Sequence, residues 1–221
     1  MGVCRRLMWA QVAALDPRTT DLAHAIASPN AQLETNTGLD NRKLLMWLFL
    51  GSECMFFGSL IAAYLLYRNR SISGPYPKDL FDIPFTSVSS FVLLMSSVSM
   101  VLALAAIQHG DVRRMRIWLL TTALLGIVFL SGQAFEFTQF YREGLTLKTN
   151  MFGTTFFVLT GFHGAHVTVG VLILLSLWSG SFRGNWTQEN SLNIELAGLY
   201  WHFVDVVWII IFTMIYLVQP T

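Results

Sequence analysis

Six side chains in this sequence could carry or pass a proton from within otherwise apolar surroundings: Glu53, Glu136, His163, His166, His202 and Asp205. Glu53 lies in the run Gly51-Ser52-Glu53-Cys54-Met55-Phe56-Phe57-Gly58, among small and apolar neighbours. An acid there is a proton-exchanging or lipid-contacting group, or, on the plainer reading, a carboxyl that clasps a neighbouring helix. His163 and His166 are three residues apart, so both project from one side of a helix. Imidazole is a common metal and haem ligand. Two histidines at this spacing, without a third ligand or an adjacent glutamate, are a weak metal pattern, and interhelical hydrogen bonding is the plainer use. His202 and Asp205 repeat the spacing, as a carboxylate beside an imidazole that could form an ion pair or fix a tautomer. Gln133 and Glu136 form a similar pair, for which mutual satisfaction of polar groups is the reading preferred. Glu136, His163, His166, His202 and Asp205 are expected to face the bundle interior as buried polar residues that pair with neighbours or stay neutral.

The segments that must position these groups are set by composition. Of 221 residues, 54% are hydrophobic and 12% charged, against roughly 25% charged in soluble domains. Net charge is +1, which leaves no basic footprint for nucleic acid. The two cysteines, Cys4 and Cys54, build no metal framework by themselves. A bilayer core about 30 Å thick takes roughly 20 apolar residues of helix, and five stretches qualify: 44–67, 85–107, 117–140, 151–178 and 198–218. Apolar residues occupy every face of each, and backbone groups in lipid must be satisfied within the segment. The expected fold is therefore an all-α integral membrane protein, a bundle of five transmembrane helices. Residues 1–41 read as an N-terminal cytoplasmic tail, either a basic amphipathic helix on the membrane surface or a disordered segment. Residues 42–221 form the membrane domain. The stretch Ser71 to Pro84, with Gly74, Pro75, Pro77 and Pro84, is expected as an ordered external connection outside any helix.

A charge near the bilayer centre costs at least ~2.5–3.5 kcal/mol on insertion scales, so the six groups must face the bundle interior or one another. Glu53 sits roughly 14 Å into its span at 1.5 Å per residue. Gly51 and Gly58 share a face that would admit another helix. Ser89, Ser90, Ser96, Ser97 and Ser99 crowd the second span as packing hydroxyls, since no base is placed beside them. Trp118, Trp178 and Trp201 lie near span ends, as interfacial anchors do. Nine Lys/Arg fall on the side of the N-terminus (Arg5, Arg6, Arg18, Arg42, Lys43, Arg113, Arg114, Arg116, Arg183) and five opposite (Arg68, Arg70, Lys78, Arg142, Lys148). This bias places the N-terminus in the cytoplasm and the C-terminus outside.

The run Tyr200-Trp201-His202-Phe203-Val204-Asp205-Val206-Val207-Trp208 resembles the last-helix signature of subunit III of the haem-copper (cytochrome c and quinol) oxidases. Thr160-Gly161-Phe162-His163-Gly164-Ala165-His166-Val167 resembles a second signature. Gly51-Ser52-Glu53 with Phe56-Phe57 is similar to the helix that bears the family's buried glutamate, and Gln133-Ala134-Phe135-Glu136 to the segment before an external loop. The resemblance runs from Lys43 to Val218. It implies an accessory, non-redox subunit of a respiratory terminal oxidase in a bacterial plasma membrane, with haem and copper held by partner subunits I and II. It further implies packing on subunit I, contact with subunit II and a small subunit IV, bound phospholipid, and support of proton uptake and complex stability. Many relatives have seven helices; with no apolar run before Leu44, this chain resembles the five-helix bacterial form. The resemblance leaves open a quinol oxidase subunit or the related protein associated with nitric oxide reductase. Two readings of other classes are a stand-alone proton carrier built on Glu53 and Glu136, and a haem-binding protein using His163, His166 or His202.

Overall fold

The computed structural model describes residues 40–67, 83–142, 151–184 and 186–217. Five long helices follow in order: α1 (Asn41–Tyr67), α2 (Ile83–Gln108), α3 (Val112–Arg142), α4 (Met151–Arg183) and α5 (Ser191–Phe212). A short 3-10 turn, Gln188–Asn190, precedes α5, and a π-helical turn, Thr213–Leu217, extends it. Each of the five is long and apolar enough to cross a membrane, and the protein is an all-α, five-helix membrane bundle. The chain divides into two units, Met1–Leu44 and Leu45–Thr221. The first is described only at 40–44, where Asp40 Oδ1 accepts the Arg42 amide at 2.9 Å and caps α1. The reading of 1–41 as a surface helix or disordered tail therefore lies almost entirely outside the described residues, as does the connection across 71–82.

The helices overrun the apolar stretches. α3 begins at Val112 instead of 117, α4 continues to Arg183, and α5 starts at Ser191 instead of 198. A helix satisfies its own backbone in lipid and in the interface alike, so nothing obliges it to stop where the apolar residues do. Pro84, expected in a loop, is the second residue of α2. In a first turn the missing amide has no intrahelical partner to lose, and proline's fixed φ suits the helix.

The tight α2–α3 connection has a local cause. Gly110 takes φ +77°, the left-handed conformation that ends helices. Its amide reaches Ile107 O at 2.9 Å, and the Asp111 amide reaches Ala106 O at 2.9 Å. Asp111 then caps α3 through the Arg114 amide at 3.0 Å and pairs with the Arg114 side chain at 3.1 Å. The short turn keeps α2 and α3 side by side, and theirs is the most extensive helix contact among the described residues.

Within α2–α5 the core is close-packed around Trp201. A Cβ added at Gly126 of α3 would stand 2.7 Å from the Trp201 ring, and one at Gly170 of α4 would stand 2.8 Å from it. The indole thus fills a slot that two glycines leave open. Its Nε1–H donates to Ser96 Oγ at 2.9 Å, and Trp208 Nε1–H donates to Ser90 Oγ at 2.8 Å. Ser99 and Thr122 join α2 to α3 at 2.8 Å. The serines of α2 are packing hydroxyls, and Trp201, expected as an interfacial anchor, is instead fully buried. The size of its ring and the two facing glycines put it there.

Candidate functional site: an acid–imidazole pair between α1 and α4

α1 touches the other helices differently. Only Leu50, Phe57 and Tyr64 are buried along it, one residue every two turns on a single stripe. The contacts are made by long side chains. Phe49 stacks on Tyr200, Phe56 packs edge-on against Phe162, Phe57 meets His166 and Phe203, and Tyr64 meets Phe152. Among the described residues, nothing outside the local helix backbone lies within 4 Å of a Cβ built on Gly51 or Gly58. The helix expected against that face is not one of this chain's described helices.

Glu53 lies on the contact stripe. Its Oε2 stands 3.2 Å from His166 Nε2, both side chains being less than one-fifth exposed. That distance is within ion-pair range when the imidazole is protonated, although Oε2 lacks the alignment of a hydrogen bond. The other ring nitrogen decides the chemistry. His166 Nδ1 lies 2.7 Å from Phe162 O, and a carbonyl only accepts, so Nδ1 carries the hydrogen. Nε2 is then either a bare lone pair facing a protonated Glu53, or an N–H facing a carboxylate. In both states one proton lies between the two residues. Tyr200 O–H donates to His166 O at 3.0 Å and ties this turn of α4 to α5. The pair opens onto a groove of about 580 Å³ lined by Met46 and Phe49 of α1, Phe162, Val169 and Leu177 of α4, and Asn193 of α5, among others.

The remaining predicted residues meet partners on other helices. His163 and His166, 60° apart on the helical wheel by 100° per residue, face different neighbours. His163 is fully buried, stacked on Trp208 with centroids 4.8 Å apart and edge-on to Phe129 at 6.0 Å. His202 and Asp205 do not pair: His202 Nδ1 lies 2.6 Å from Ser97 Oγ of α2. Gln133 and Glu136 also part company. Gln133 Nε2 donates to Thr160 O at 2.8 Å, and Glu136 accepts from the Thr86 hydroxyl, which Tyr216 of the π-helical turn also meets. The physical reason is common to all three pairs. Residues three apart on a helix point the same way, but each finds its best partner on a neighbouring helix, and the two neighbours differ. Ser97, Thr86, Tyr200 and Tyr216 are the partners that spacing within one segment does not reveal. Tyr200 alone carried a signal, lying within the last-helix signature. Among the described residues no three His, Cys, Asp or Glu gather as a metal-binding set.

A five-helix bundle whose first helix is joined by aromatic contacts and one acid–imidazole pair defines a multi-pass α-helical membrane protein with a polar group held at a helix seam. Comparison with known proteins specifies it further. Residues 31–219 match the family described as cytochrome c oxidase subunit III. The chain is 37% identical over 199 residues to cytochrome c oxidase subunit 3 of Bacillus sp. (strain PS3), covering 90% of this chain and 94% of that protein. It is 41% identical over 182 residues to the cytochrome c oxidase subunit 3 of Synechocystis sp., covering 80% and 76%. It is 36% identical over 189 residues to quinol oxidase subunit 3 of Bacillus subtilis, covering 85% and 93%. The chain belongs to the subunit III family of haem-copper oxidases, and its place is in an oxidase complex.

Proposed function

We propose that this chain is the accessory subunit III of a cytochrome c oxidase in a bacterial plasma membrane. In this reading it packs on subunit I and binds phospholipid, while subunits I and II hold the haem and copper. Its part in the reaction is to sustain proton uptake and the working lifetime of the complex. The cytochrome c reading is favoured because the relatives named for that oxidase include matches at 37–41% identity, against 36% for the quinol oxidase of Bacillus subtilis. The Lys/Arg bias supports a cytoplasmic N-terminus and an external C-terminus. Subunit II and a small subunit IV complete the expected partners.

One observation carries the mechanistic part: Glu53 Oε2 stands 3.2 Å from His166 Nε2 at the seam between α1 and α4. The pair is neutral in total while one proton is present, and departure of that proton leaves one negative charge on Glu53 beside a neutral imidazole, so release is coupled to the arrival of another proton. The groove beside it runs from Phe162 to Leu177, about 22 Å at 1.5 Å per residue, a length suited to a lipid tail. Lipid in that groove would exclude bulk water from the pair and keep proton exchange confined to one approach. The remaining polar residues, Glu136, His163, His202 and Asp205, bind helices together in this reading and do no chemistry.

Glu53→Gln in the assembled oxidase tests this. Glutamine keeps the shape and can donate to a bare Nε2, so assembly and haem spectra should match the unaltered complex. Proton uptake should slow severalfold, or the number of turnovers before inactivation should fall severalfold. If both stay unchanged, Glu53 is a helix clasp and the proposal is wrong. Co-purification after mild detergent extraction checks the partners, and the electron donor accepted by the purified complex separates cytochrome c from quinol.

A further inference from the structure

The bundle core contains a second polar cluster that the Glu53–His166 pair does not touch. α2 supplies hydroxyls that are each engaged: Ser90 accepts from Trp208, Ser96 accepts from Trp201, and Ser97 meets His202. Against this background two side chains stand out. Both ring nitrogens of His163 and both carboxylate oxygens of Asp205 are buried without a hydrogen-bond partner, at 0% and 3% exposure. They flank the same residue. His163 stacks on the Trp208 indole, and Asp205 precedes Trp208 by one turn of α5, a rise of about 4.5 Å. The Ser97 hydroxyl acts on the Asp205 carboxylate and also stands 2.6 Å from His202 Nδ1, so its single hydrogen serves at most one of the two.

Interiors leave few buried polar atoms unpaired, and each orphan costs about 1–3 kcal/mol. With one Ser97 hydrogen to share, both His163 nitrogens and at least one Asp205 oxygen require a partner that the described residues do not supply. That partner must donate to carboxylate oxygens and both donate to and accept from an imidazole. A cation meets the first demand only, and the described residues gather no third ligand for one. Water meets both demands. We propose that His163 and Asp205 form an internal hydration site between α4 and α5, in which ordered water bonds to the side chains on either side of Trp208. Ser97 and His202 connect this site to the partly exposed face of α2 and α5, so its water can exchange without the bundle opening.

The test uses the assembled oxidase. In an experimental map that resolves water, density within about 2.7–3.2 Å of the Asp205 oxygens and a His163 ring nitrogen is the expected result; empty surroundings at both residues overturn the proposal. Paired substitutions give a second measure. A dry orphan is relieved when an apolar ring or chain replaces it, whereas a hydrated group loses its bonds. His163→Phe and Asp205→Leu should therefore each lower the melting temperature of the complex, and Asp205→Asn, which still bonds to water, should lower it less. A melting temperature that is equal or higher in both apolar variants overturns the proposal. Should an apolar variant fail to assemble, the map alone decides.

Discussion

α1 and the four-helix core are built on opposite rules. In the core, glycine faces tryptophan, and Ser90, Ser96, Ser97 and Ser99 of α2 each meet a side chain of another helix. α1 stands off, reaching α4 and α5 through phenylalanine and tyrosine rings, with most of its surface left open. Packing in lipid gains nothing from the hydrophobic effect, so cohesion comes from close van der Waals contact and interhelical hydrogen bonds. The core has both in quantity. α1 has little of either, and the one acid it carries lies at its seam. A proton site needs access, and a loosely packed seam provides access that a close-packed core does not.

The comparison breaks most sharply at the Trp201 slot. Gly170→Val would drive branched carbons into indole atoms that a bare Cβ already meets at 2.8 Å. Overpacking of this kind costs about 1–3 kcal/mol, and here the obstacle is a fully buried ring with no free direction. The expected outcome is loss of most of subunit III from the purified complex, read from band intensities. One step smaller are Ser90→Ala and Ser96→Ala, each of which strands a buried indole N–H. Interhelical bonds in membrane proteins average about 0.6 kcal/mol and reach about 1.7. Each variant should lower the melting temperature by a few degrees, and the two effects should add if the sites are independent.

How much of this was legible in the sequence depends on range. Five apolar stretches were visible because a bilayer demands length and composition, both of which are local properties. The importance of Glu53 and of the histidines was visible because ionisable groups inside a span are costly. Their partners were not. Glu53 meets His166 across 113 positions of chain, and His202 meets Ser97 across 105. Only the relative rotation of the helices determines such pairs. The reading of Trp201 as an interface anchor failed for the same reason: nearness to a span end is local, while the two glycines opposite it lie on other helices. Helix ends were misplaced because hydropathy marks the lipid boundary, not the backbone's.

On α1 the same kinds of change should do less. Phe57→Leu trims a ring that touches Phe56, His166 and Phe203, a large-to-small change whose cost depends on how well the site collapses, and a loosely packed seam collapses readily. A small fall in melting temperature is expected, well below that of Gly170→Val. A larger fall would show that α1 is a cohesive part of the core and not a docked helix.

The smallest effect should come from the glycine face of α1. Gly51→Ala and Gly58→Ala add methyl groups that meet nothing among the described residues outside the local helix backbone, and alanine is favoured over glycine in a helix by about 1 kcal/mol. If lipid covers this face, each variant should leave subunit III abundance in the complex unchanged and its melting temperature equal or slightly higher. A helix from another subunit pressed against these glycines would give the reverse, since a methyl group at a close backbone contact forces the helices apart. The sign of the shift therefore distinguishes acyl chains from protein on the glycine face of α1, which the described residues leave open.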